Sequence, residues 1–202
     1  MSALTRRPIL AAFCALALLW GSAAPARAVT PEAAREFVGN LAERATAILG
    51  SSAPRAERRD QLRALLHEGF DVPFVARTVL GAPYRDLSDA QRDAYVAAFE
   101  RWVVASYADR LDDYTGQRLV IIGAEAQGTQ DARVTTRVEG LSPPPRIDWR
   151  IRDRPTGLSI IDIEVEGVSM AISQRSEFAS VVQRRGIDGL IAMLEERSGP
   201  LM

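Results

Sequence analysis

Two periodicities divide the chain. Up to Gly116 apolar residues recur every three or four positions, and beyond it they alternate with polar ones. Thr30 followed by Pro31 has the residue types of a helix N-terminus, and Phe37, Val38, Leu41, Ala45, Ile48 and Leu49 form an apolar stripe that Gly50 ends. An Arg- and Glu-rich helix is expected over 55–67, stopped by Gly69. Asp71 then caps a short apolar helix, VPFVARTVLG, which Gly81 and Pro83 break. Ser88 and Gln91 have capping-box spacing and open the strongest helix, expected to reach about Tyr114, with Tyr95, Phe99, Trp102, Val103, Tyr107, Leu111 and Tyr114 along one face.

Four period-two segments follow, predicting strands over 118–124, 132–139, 146–152 and 158–166. In the third, Ile147, Trp149 and Ile151 oppose Asp148, Arg150 and Arg152; in the fourth, Ile161, Ile163 and Val165 oppose Asp162, Glu164 and Glu166. Short connections favour an antiparallel meander whose Arg-rich third strand pairs with the acid-rich fourth on the wet face. Two helices over 174–185 and 188–197 close the chain. The expected class is α+β: a helical N-terminal half, a four-stranded antiparallel curved sheet and two C-terminal helices.

The first residues bear on compartment. Arg6 and Arg7 precede an apolar run from Ile9 to Trp20, and small residues lead to Ala26-Arg27-Ala28. This is the pattern of a secretory signal peptide over 1–28, cleaved after Ala28. Its apolar core of about a dozen residues is short of the roughly 20 that span a bilayer. Thr5-Arg6-Arg7 leaves twin-arginine export open beside the general route. Residues 29–202 are then expected to form a single domain outside the cytoplasm, without Cys14 and so without thiol or disulfide chemistry. All 25 basic residues are arginines, and the formal net charge of −1 becomes −4 when Arg6, Arg7 and Arg27 leave with the leader. That balance argues against nucleic acid.

Catalytic material is scarce. Gly167-Val168-Ser169-Met170-Ala171 is one residue from a nucleophile elbow, but the only histidine, His67, precedes the serine by about a hundred positions. Asp112-Asp113, Asp162, Glu164 and Glu166 could do acid/base work, yet the strand acids are expected on the wet face. A small isomerase or dehydratase would need a carboxylate on a dry face. One histidine and no cysteine beyond the leader give neither a metal nor a cofactor its ligands. What remains is apolar surface, more than one compact core needs. It fits either a ligand cavity suited to acyl chains or a solid core, the latter being what a non-catalytic adaptor would have.

Several segments are shared, in order and spacing, with one family. FVARTVLG (74–81), YRDLSDAQR (84–92), Phe99 and Tyr107, VTTRV (134–138), DIEVEGVSMAISQRSEF (162–178) and the ending RGIDGLIAML together resemble the MlaC-like, or toluene-tolerance, proteins over essentially the whole chain past the leader. The resemblance implies a cone similar in shape to nuclear transport factor folds, with lipid tails between sheet and helices and the headgroup outside. It implies a monomeric, non-enzymatic periplasmic carrier of phospholipid, working with an inner-membrane ABC transporter carrying an MCE-type complex and with an outer-membrane lipoprotein complex to maintain outer-membrane lipid asymmetry. A hopanoid or other membrane lipid is the alternative cargo. The lining expected on this footing is Phe74, Val75, Val79, Phe99, Trp102, Val103, Tyr107, Trp149, Ile151, Ile163, Met170 and Ile172. Arginines near the mouth are the groups available to a headgroup phosphate, and the sequence singles out none of them.

Overall fold

The computed structural model describes residues 28–108 and 114–199. The leader before Ala28, Leu111 and the Asp112-Asp113 pair lie outside the described residues, as do the side chains of Tyr107 and Ala108. Helix α1 (Pro31–Leu49) is capped by Thr30, whose hydroxyl accepts from the Ala33 N–H at 3.2 Å. Helix α2 (Arg55–Gly69) follows, and α3 (Val72–Leu80) starts where the Asp71 carboxylate accepts from the Phe74 N–H at 3.0 Å. After a short 3-10 turn (Ala82–Asp86), α4 (Asp89–Ala108) opens with the expected box: the Ser88 hydroxyl accepts from Gln91 N and the Gln91 carboxamide from Ser88 N, both at 3.2 Å. Tyr114, expected in this helix, is not helical.

The sheet holds five antiparallel strands in sequence order: β1 (Arg118–Gln127), β2 (Asp131–Glu139), β3 (Arg146–Arg154), β4 (Gly157–Val165) and β5 (Val168–Ser169). The additional strand comes from a tight turn in which Glu166 (φ 50°) and Gly167 (φ 78°) both take left-handed backbone, folding Val168 and Ser169 back onto Val165 and Glu164. Helix α5 (Met170–Ser198) begins four residues before the expected start, because Ser169 caps it by accepting from Ile172 N at 3.1 Å. It breaks at Gly186 (φ 68°), which separates the two expected C-terminal helices.

A β-bulge at Ile161 changes the reading of β4. Trp149 faces Ile163, but across the bulge Ile151 faces Ile160, so Ile160 rather than Ile161 continues the inner row. Both isoleucines are buried. The outer-face ion pairs also differ from expectation: Arg150 opposes Asp162 in register, yet Arg150 and Arg152 bind Asp131 of β2, at 2.6 Å each, while Asp148 takes Arg146 at 3.0 Å. Burial opposes ionisation of Asp131, but hydrogen bonds from Arg152 and Arg150, together with their charges, hold its carboxyl below the usual carboxylate range.

Apolar residues gather in two clusters. One joins α3, α4 and α5 around Tyr95, Phe99, Phe178, Leu190 and Leu194; the other joins α1 and α2 to the sheet around Val38, Leu41, Val134, Ile151 and Ile160. Tyr95 is fully buried, its hydroxyl donating to the Ala76 carbonyl at 3.0 Å, and burial pushes that phenol well above its usual range. Phe70 packs against both clusters.

Candidate functional site

Among the described residues, a cavity adjoins each of the two apolar clusters. The larger, about 460 Å³, lies between α1, α2 and the inner face of the sheet, with Val38, Leu41, Ala45, Leu62, Leu65, Leu119, Val138, Trp149 and Ile160 in its wall. The smaller, about 320 Å³, lies between α3, α4, the start of α5 and β4, with Val72, Val75, Val79, Phe99, Trp102, Met170 and Ala171 in its wall. Leu66, Phe70, Val103 and Ile163 belong to both walls.

Local structure explains each wall. Val75 and Val79 are one helical turn apart and present one face of α3 to the smaller cavity. Phe99 and Trp102 are three apart on α4, with ring centroids 5.8 Å from each other, and Phe178 of α5 braces Trp102 from 5.6 Å. Trp149 turns its ring into the larger cavity because its indole N–H is satisfied by the Thr136 hydroxyl at 2.9 Å, which donates onward to the Ile147 carbonyl. The free edge of β4 is covered twice, by Phe70 bridging to Ile160 and by β5 pairing with Glu164 and Val165. Asp162 and Ile163 lie between these covers and reach the smaller cavity.

Asp162 is therefore a carboxylate on a cavity wall, where the alternation of β4 had put none. Its oxygens are engaged: Oδ2 accepts from the Ser169 hydroxyl at 2.7 Å, and Oδ1 accepts from the N–H groups of Ile163 at 2.9 Å and Ala171 at 3.5 Å. It fastens β4 to the first turn of α5. His67, the one imidazole, pairs with Glu100 at 2.9 Å on the α2–α4 surface. Among the described residues no cluster of His, Cys, Asp and Glu has the grouping a metal ion needs, and no helix is long and apolar enough to cross a membrane.

Of the residues expected in the lining, Val75, Val79, Phe99, Trp102, Val103, Trp149, Ile163 and Met170 face one cavity or both. Three are placed elsewhere. Phe74 lies outside, turned away from Val75's face and flanked by the guanidinium groups of Arg154 at 4.6 Å, Arg77 at 5.4 Å and Arg152 at 5.5 Å. Ile151 is fully buried in solid core against Ile160. Ile172 is 62% exposed, because α5 starts early enough to turn it outward, one residue past Ala171 on the wall. The side chain of Tyr107 lies outside the described residues. The residues missed include those of α1 and α2, Phe70, Val72 and Ala171, and Leu119, Val138 and Ile160 of the sheet; the apolar stripe of α1 was visible, but a stripe does not say whether it meets a solid core or a cavity.

The comparisons with known proteins agree with this architecture. A curated relative, the intermembrane phospholipid transport system binding protein MlaC of Haemophilus influenzae, is 24% identical over 131 residues, which cover 62% of this chain and 61% of that protein. A phospholipid-binding protein of Ralstonia solanacearum, solved in complex with a phospholipid, has the same fold: TM-score 0.73, 22% identity, covering 82% of this chain and 96% of the other. The description MlaC protein matches residues 39–196, most of the chain, and the chain belongs to the MlaC family.

Proposed function

We propose that this chain is a phospholipid carrier that takes acyl chains into its two cavities and moves them across the periplasm between an inner-membrane ABC transport complex and an outer-membrane complex. The observation that carries this reading is the pair of mainly apolar cavities sharing the wall of Leu66, Phe70, Val103 and Ile163. The names of the two relatives, one a phospholipid transport binding protein and one holding a phospholipid, point the same way.

The physics suits such a carrier. A diacyl lipid exposes about 30 methylenes, and leaving them in water costs about 24 kcal/mol at roughly 0.8 kcal/mol each. A cavity as apolar as the bilayer removes most of that barrier, so transfer at either membrane is close to isoenergetic. No bond is made or broken, and residues 29–202 act as one lipid-binding unit. The chain has no G-x-x-x-x-G-K-[ST] loop, so energy and direction come from partners. The Arg6-Arg7 leader directs export and is removed after Ala28.

The test is to express the chain with its leader, recover the periplasmic fraction, purify without detergent and weigh the intact protein by native mass spectrometry. A bound mass equal to a diacyl phospholipid is expected. A folded, empty chain that takes up no added phospholipid would overturn the carrier reading, and a bound hopanoid would keep the carrier and change its cargo.

A further inference from the structure

The larger cavity is polar at one end only. Its wall is apolar along α1, along α2 from Leu62 onward and over the sheet, while its polar members are Arg59, Tyr114 and Gln117. These sit where α1 finishes at Leu49, α2 has just begun and β1 is about to start, and Leu141, between β2 and β3, borders the same end at 46% exposure. That end is the mouth. Gln117 is committed locally: its carboxamide accepts from Thr115 N at 2.9 Å and donates to the Thr115 hydroxyl at 3.0 Å. Arg59 is the one cation among the described lining residues of both cavities.

We infer that Arg59 binds the phosphate of the lipid headgroup at the mouth of the larger cavity, which rests on the phospholipid reading above and sharpens it. A lipid whose chains fill the apolar wall places its phosphate at the polar end, one helical turn above Leu62. A guanidinium carries five N–H donors in a planar fork, so it engages two phosphate oxygens while keeping contacts with its neighbours. Arg58, the residue before it, donates to the Leu49 carbonyl at 3.3 Å and ties the start of α2 to the end of α1, holding this rim in place.

Recognition of phosphate rather than chains alone predicts discrimination between lipids with identical tails. Delipidated protein is offered dioleoyl phosphatidylglycerol and dioleoylglycerol in equal amounts, and the retained ratio is read by native mass spectrometry. Wild type is expected to favour the phosphate-bearing lipid by about tenfold or more, the scale of a hydrogen bond to a charged group. Arg59→Gln should bring that ratio close to one while still taking up both lipids, and Arg59→Lys should restore part of it. Arg63→Gln, one turn along the same helix and paired with Asp60, should leave it unchanged. A wild type that holds both lipids equally, or an Arg59→Gln protein with the wild-type ratio, overturns the inference and leaves the carrier reading intact. An Arg63→Gln effect as large as that of Arg59→Gln also overturns it, since net charge would then be the cause. A wild type that holds neither lipid brings down the carrier reading and the inference together.

Discussion

Phe70 and Ile160 lie side by side in a parallel bridge that joins the end of α2 to β4, and the Asp71 N–H donates to the Ile160 carbonyl at 3.1 Å. The backbone there is pinned to the sheet, which sets the Phe70 ring in the wall that the two cavities share. Phe70→Ala should fuse the two spaces at a cost of about 3 kcal/mol in unfolding free energy, the usual price of deleting a packed aromatic ring. The fused cavity should retain lipids of greater total chain length. Urea unfolding and the masses of copurified lipids check both halves, and a lipid profile identical to wild type would show that Phe70 does not partition the cavity.

Val103 and Phe74 make a contrasting pair. Val103 touches both cavities, so Val103→Glu places a carboxylate where it meets hydrocarbon on either side. The folded variant should carry about tenfold less phospholipid at neutral pH. Phe74 sits among three arginines outside both cavities, so Phe74→Leu should lose about 1 kcal/mol of stability from its cation–π contacts and load lipid like wild type. Loss of lipid in Phe74→Leu with unchanged unfolding would return Phe74 to the lining.

These two residues also show how far the sequence could be read. The caps at Thr30, Asp71 and Ser88, the change of period at Gly116 and the meander were legible because each rests on local chemistry. Helix faces were harder: Val75 and Phe74 are equally apolar neighbours, and only the arrival of Arg152 and Arg154 from β3 decides which of them faces the cavity. The Ile161 bulge shows in the sequence only as the doubled Ile160-Ile161, where the apolar positions pass from even to odd numbers and either isoleucine could continue the inner row. It carries Ile160 into the inner row. Phe70, the shared partition, is a lone aromatic between two helices, and no periodicity involves it.

Asp131, like Asp148, contributes to the acid limb of stability. Its carboxyl is held low by Arg150 and Arg152, so in the folded chain it stays ionised below the unfolded value of about 3.9. A depressed carboxyl contributes stability that is present above the unfolded pKa and disappears as pH falls through the folded one. Asp131→Asn should therefore cost about 2 kcal/mol at pH 7, allowing for the partial exposure of both arginines, and the gap from wild type should close as the medium is acidified below about pH 4. Denaturant titrations across that range decide it; a gap that persists unchanged to the lowest pH would assign the loss to packing instead of charge.

Ser169 lies in the sequence most easily mistaken for a nucleophile elbow, and its bonds explain why the residue is there. Its hydroxyl donates to Asp162 at 2.7 Å and accepts from Ile172 N at 3.1 Å, which uses its proton and caps α5 in one arrangement. No imidazole serves it, since His67 faces Glu100 on another surface. Ser169→Ala should cost about 1–2 kcal/mol, from the lost cap and from an Asp162 oxygen left without its donor beside the smaller cavity. Ser169→Thr should recover most of that, and both variants should still bind phospholipid, because Met170 and Ala171 hold the wall. A Ser169→Ala protein of unaltered stability that has lost an esterase activity present in wild type would make the serine a nucleophile. With its hydroxyl hydrogen-bonded to a carboxylate that itself holds the backbone of Ile163 and Ala171, and with the one imidazole engaged elsewhere, the geometry favours the cap.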